Sequence, residues 1–168
     1  LIRMQMRLGE SLRFTLFGTS HGPKVGAFLE GVPKGIKINR DLIQKAMDER
    51  KPGGKYASKR KEPDNVEILS GIKDEMTTGE IVEISIKNSD VRSTDYSFLP
   101  DHPRPGHQDM VMMKRTKGEA DLRGGGTSSA RLTAPIVAAA AIIEPILSTL
   151  GIKFNAHVSS IGNINAKP

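Results

Sequence analysis

The chain of 168 residues carries 25 Lys and Arg against 19 Asp and Glu, a formal charge of +6, and no cysteine. A chain of this length buries roughly 70% of the surface its unfolded form exposes, so one hydrophobic core is available without metal or disulfide staples. The lack of cysteine excludes a disulfide framework and thiolate metal sites. The positive charge favours anionic partners without choosing among nucleic acid, acidic lipid and phosphorylated metabolites.

In chain order, residues 12–17 and 25–30 read as strands on either side of GTSHGP at residues 18–23, which puts His21 on the loop between them. Asn39 predicts the N-cap of a helix running to Glu49, with Leu42, Ile43, Ala46 and Met47 on one face and Arg50 at its C-terminal end. Pro52 stops its continuation. KPGGKYASKRKE at residues 51–62 has glycines, basic residues and no apolar period, and predicts a surface loop. Residues 66–69 and 81–86 predict two more strands, Val82, Ile84 and Ile86 alternating with Glu83 and Ser85.

Residues 88–123, broken by Pro100, Pro103 and Pro105, predict a long and mostly irregular stretch, the kind that carries function in a compact domain. Thr127 and Ser128 then predict the cap of an alanine-rich helix reaching Leu150, with Gly151 as its stop and kinks at Pro135 and Pro145. That helix is apolar on nearly every face, which predicts burial. Residues 153–161 resume a strand pattern, and the expectation is a chain that stops in mid-fold. The longest apolar run, residues 134–143, is far shorter than the ~20 residues that span a bilayer. A soluble, cytoplasmic protein is expected.

Three motifs carry chemistry. GTSHGP reads either as a hairpin turn with a surface histidine or as a loop presenting His21 to a ligand. RPGH at residues 104–107 sets Arg104 and His107 around a Pro-Gly turn, pairing a fixed charge with a group that titrates near neutrality. RGGGTSSAR at residues 123–131 places three glycines before hydroxyl residues at an expected helix N-terminus, an arrangement that offers free N–H groups to an anion. It lacks the Gly-Lys-Ser/Thr end of a nucleotide P-loop. His102 and His157 read as polar surface. In the basic run only Tyr56 could stack on a base, and no RRM or KH pattern is present, so a phosphate suits it better than RNA.

GTSHGP, FLEGVPKGI, DERKPGGKYASKRKEPD, NSDVRSTDYS, RPGH and RGGGTSSARLTA, in this order, resemble chorismate synthase over residues 13–141. The resemblance implies a carbon–oxygen lyase that removes phosphate from 5-enolpyruvylshikimate 3-phosphate by anti-1,4 elimination, giving chorismate with reduced FMN as cofactor. In that family the flavin lends an electron to the allylic system and recovers it, so the site must hold it reduced and dry. The implied fold is α+β, a β-α-β sandwich with helices between antiparallel sheets, and the implied assembly is a homotetramer. On this reading residues 1–168 are the N-terminal part of one domain whose C-terminal half is absent, so weak FMN binding and no turnover are expected of the chain alone.

Matched position by position, the resemblance makes His21 the acid for the departing phosphate and His107 the imidazole beside the flavin. Arg50, Lys55, Arg60 and Arg104 become substrate contacts, and Thr127, Ser128 and Ser129 become FMN contacts. NADPH is a candidate reductant, and no metal, nucleic-acid or membrane partner is expected. Departures from the family pattern are Thr19 for glutamate, Lys55 for arginine, a basic loop one residue shorter, Thr127 for arginine, Leu132 for glutamate, and Pro135 in the following helix. The competing readings are a basic nucleic-acid-binding module and an inert scaffold.

Overall fold

The computed structural model describes residues 6–51, 62–89 and 93–167. Its centre is an antiparallel five-stranded sheet of β1 (Arg7–Leu8), β2 (Arg13–Gly18), β3 (Lys24–Glu30), β4 (Val66–Ser70) and, after two short pairing strands, β5 (Ile72–Lys73) and β6 (Met76–Thr77), the interior strand β7 (Val82–Lys87). The spatial order is β1-β2-β3-β7-β4. Val25, Ala27 and Leu29 of β3 and Val82, Ile84 and Ile86 of β7 are fully buried, the period-two pattern of strands with one face on a core. Ser85, on the opposite face of β7, is buried as well. Opposite Gly26, Phe17 lies across the neighbouring strand, and a Cβ at Gly26 would meet the Phe17 ring at 2.2 Å. Glycine is what permits that close approach.

Two helices cover the inward face. In α1 (Arg40–Glu49), Asn39 Oδ1 accepts from the backbone N–H groups of Asp41 and Leu42, as the cap pattern predicts. Ile43 and Met47 are buried, but Leu42 is 54% exposed and is not part of the inward stripe. After α2 (Asp109–Thr116), α3 (Thr133–Thr149) buries Ala134, Ala138, Ala139 and Ile142 against α1, β3 and β7. The small alanines let this helix sit close to the sheet. Its outward side is not covered, since Ile136 is 44% exposed. Within Arg123–Thr149 an 18-residue window reaches a mean hydropathy of 1.7, but the glycines at the segment's start are non-helical and its helical part packs against α1, β3 and β7.

Several expectations need correction. Residues 88–123 are mostly irregular among the described residues, as expected, but they also hold a 3-10 turn (Ser93–Tyr96) and α2. Thr127 and Ser128 do not cap the long helix, which starts at Thr133: 3-10 turns at Arg123–Ser128 and Ala130–Leu132 come first, and Ser129 caps the second of them. Pro135 breaks nothing, because it lies in the first turn of α3, where backbone N–H groups have no helical partner. Leu132 is explained by its burial in the core. Residues 152–159 carry no strand, and β8 (Ser160–Ile161) and β9 (Ile164–Asn165) form only an exposed two-residue hairpin.

The topology fixes where the loops meet. Lys24 pairs with Lys87 and Val66 with Ile86, so the β2–β3 turn, the exit of β7 and the entry to β4 lie at one end of the sheet.

Candidate functional site

The three glycines of RGGGTSSAR all have positive φ, 58° at Gly124, 88° at Gly125 and 55° at Gly126. Three left-handed residues in a row are affordable only without a Cβ. They turn the chain back onto the GTSHGP loop: Ser20 N–H donates to Gly126 O at 3.2 Å, and Ser20 Oγ donates to the carbonyls of Arg123 and Gly124 at 3.0 and 3.1 Å. The glycines thus work as a tight turn rather than as the N-terminus of α3, which corrects the helix-dipole expectation.

A hollow of about 320 Å³ opens beside this turn, lined by Tyr96, Arg104, Gly106, His107, Gln108, Gly124, Gly125, Ser128, Ser129 and Ala130. His21 adjoins it through two of these residues. Its ring meets Tyr96 edge-on at a centroid distance of 4.8 Å, and a Cβ at Gly124 would lie 2.5 Å from its Cδ2. The two histidines singled out from sequence therefore border one region. His107 is exposed at its mouth, while His21 is half-buried.

Arg104 is less free than the motif suggests. Its Nε and Nη2 donate to Asp109 at 2.8 and 2.7 Å, its backbone N–H donates to the same carboxylate at 2.9 Å, and its guanidinium lies 5.3 Å from the Tyr96 ring centre. This paired bond holds the Asp109 carboxyl below its usual range and raises the guanidinium above its own, outweighing the opposing effect of burial. The Arg123 hydrogen bond likewise lowers Asp121, which also accepts from Thr19 Oγ1 at 3.3 Å. Thr19, in place of the expected glutamate, thereby ties the two loops together.

A separate polar cluster joins residues from three of the quoted motifs. Asp64, 2% exposed and held at φ 52°, takes one guanidinium on each oxygen, Arg50 at 2.6 Å and Arg131 in a shorter bond. Arg50 also donates to Thr133 Oγ1 at 3.1 Å. Arg131 reaches Asn88 Oδ1 at 2.8 Å and Lys87 O at 3.1 Å. Arg50 belongs to this cluster and does not line the hollow. Ser128 and Ser129 do line it, and Thr127 Oγ1 is buried with no hydrogen-bond partner among the described residues. Lys55 and Arg60 lie outside the described residues. His102 and His157 are exposed. No group of histidines and carboxylates among the described residues could hold a metal ion.

Comparison with known proteins decides the family, because the chorismate synthase profile matches residues 12–168. The chain belongs to the chorismate synthase family. It is 46% identical over 160 residues to the chorismate synthase of Aeropyrum pernix, and 48% identical over 159 residues to that of Aliarcobacter butzleri. These alignments cover 95% and 94% of this chain but 42% and 44% of the relatives. A crystal structure of a chorismate synthase superposes with a TM-score of 0.67 at 28% identity, covering 94% of this chain and 40% of the other. The α+β reading, helices against antiparallel strands, is borne out. Tyr96, Gln108, Asp64, Asn88 and Arg131 are the site residues that motif reasoning missed. Asp64, Asn88, Tyr96 and Arg131 all lie inside motifs quoted for their resemblance, but nothing in those motifs says that Asp64, Asn88 and Arg131 meet.

Proposed function

We propose that this chain serves the lyase reaction of chorismate synthase: phosphate leaves 5-enolpyruvylshikimate 3-phosphate as its C–O bond breaks, a ring proton departs four atoms away, and chorismate results. One observation supports this above the others, namely that His107, Arg104 and the glycine turn line one hollow and that His21 borders two of its lining residues, Tyr96 and Gly124.

The donor set fits a flavin. The Thr127 hydroxyl is buried and has no hydrogen-bond partner among the described residues, Ser128, Ser129 and Gln108 line the hollow, and Gly124 and Gly125 add a stretch of wall without side chains. Reduced FMN, when bound, supplies the transient electron that loosens the allylic C–O bond. Thr127, Ser128 and Ser129 would hold it, and His107 would balance negative charge at its edge. His21 would deliver a proton to the leaving phosphate oxygen, a contribution of ~10²–10⁴-fold for a positioned acid. Arg104, Lys55 and Arg60 would bind phosphate and carboxylate, where guanidinium forks outperform ammonium groups, and Arg50 would join them only by turning from Asp64. NADPH as reductant, a homotetramer and a cytoplasmic location belong to the same reading.

The test is thermal unfolding of the 168-residue chain with dithionite-reduced FMN and 5-enolpyruvylshikimate 3-phosphate together. Ligands at a hundred times their dissociation constants add about 2.7 kcal/mol, so the midpoint is expected to rise, and His107→Ala should reduce that rise. No shift at millimolar ligand would sink the proposal. Salt-sensitive stabilisation by DNA or RNA instead would favour the nucleic-acid reading.

A further inference from the structure

Asn88 follows the last residue of β7 and makes four hydrogen bonds, three of them to the turn that carries His21. Its backbone N–H donates to Pro23 O at 3.1 Å, and its side-chain Nδ2 donates to Thr19 O at 3.1 Å and Gly22 O at 2.8 Å. Its Oδ1 accepts from Arg131 Nε at 2.8 Å. The amide orientation follows from the chemistry: two carbonyls demand donors on one side and a guanidinium demands an acceptor on the other, so only one assignment satisfies all three.

The turn is held from two sides, and Asn88 supplies the β7 side. Within it, Gly22 N–H returns to Thr19 O at 3.1 Å, and Ser20 is pinned on the opposite side by the glycine loop. Asn88 is in turn held by Arg131, whose guanidinium is anchored on the buried Asp64 carboxylate together with Arg50. An unbroken chain of hydrogen bonds therefore runs from Arg50 through Asp64, Arg131 and Asn88 to the carbonyls flanking His21.

We propose that Asn88 is a positioning residue that sets the His21 ring against Tyr96 and registers it with Arg50. This rests on the proposed function for the role of His21 as acid, but the positioning itself is read without any ligand. A primary amide is the group required: aspartate would still accept from Arg131 but would face two carbonyls with a carboxylate, and alanine would release both sides.

The experiment is NMR of the 168-residue chain and of Asn88→Ala and Asn88→Asp, following the His21 ring signals, its nuclear Overhauser contact with Tyr96, and the methyls of Val25 and Ile84. The expected result is a shifted His21 ring and a lost or weakened Tyr96 contact in both variants, with the core methyls unmoved. A His21 ring and Tyr96 contact identical to wild type in either folded variant would overturn the proposal. Should the variants not fold, the wild-type backbone decides: residues 19–23 should have order parameters near the rigid value of ~0.85, and values below ~0.6 would refute a clamp. A shifted ring combined with no thermal response to FMN and substrate would leave the clamp standing and remove the lyase reading instead.

Discussion

Ile84 in the middle of the sheet and Asp64 at its loop end are both hidden from solvent, at 0% and 2% exposure, and they are held by opposite means. Around Ile84 the neighbours are aliphatic, and the attraction is large but non-directional, so it specifies volume more than orientation. Around Asp64 the neighbours are two guanidiniums, and each bond fixes an angle as well as a distance. The interior supplies stability. The loop end spends directional bonds and left-handed backbone on holding particular atoms in place.

The sharpest way to break this contrast is to remove the carboxylate. Asp64→Ala leaves the buried Arg131 guanidinium without its counter-charge and is expected to cost about 3–5 kcal/mol in urea unfolding, with the His21 ring signals displaced. Ile84→Ala is expected to cost about 2–5 kcal/mol while the His21–Tyr96 contact persists. If the core variant moved His21 as far as the Asp64 variant does, the two regions would not be separable. Gly124→Ala should be milder in stability, about 1–3 kcal/mol for a strained left-handed residue. Its added methyl nonetheless falls 2.5 Å from the His21 ring, so it should shift His21 and Tyr96 more than any other signals.

The smallest effect is in acid. Asp109 and Asp121 are held below the ordinary carboxyl value by Arg104 and Arg123. A depressed folded value adds stability that is fully present above the unfolded value of about 3.9 and is lost as pH falls through the lower folded one. Urea midpoints should therefore decline below about pH 4, and Asp109→Asn should flatten that decline. An unchanged acid slope in Asp109→Asn would mean that the Arg104 pair contributes nothing to folding.

The same contrast explains what could be read from the chain beforehand. Alternation gave β7, strand-like runs beside a glycine turn gave β2 and β3, β-branched content gave β4, and Asn39 gave the start of α1, because these signals are local. Leu42 was misplaced because a helix face is only as buried as its neighbours make it. The RPGH and GTSHGP motifs pointed to His107 and His21, which border one region. α2 was hidden by the prolines before it and by its single buried methionine, Met112, although Asp109 at its start and Lys114 and Arg115 at its end suit a helix dipole. Asp64 and Arg131 are 67 residues apart in sequence, and only strand pairing reveals that they meet. The glycine triplet was recognised as special, but its left-handed geometry depends on Ser20 binding across from another loop.

One carboxylate shared between two guanidiniums leaves the Asp64 trio with a surplus of one positive charge. Nothing in that trio neutralises the excess, and a dehydrated charge is felt further than a solvated one. An approaching anion would sense this end of the sheet before touching it, so capture should slow as ionic strength rises even for a ligand whose final contacts are unaltered.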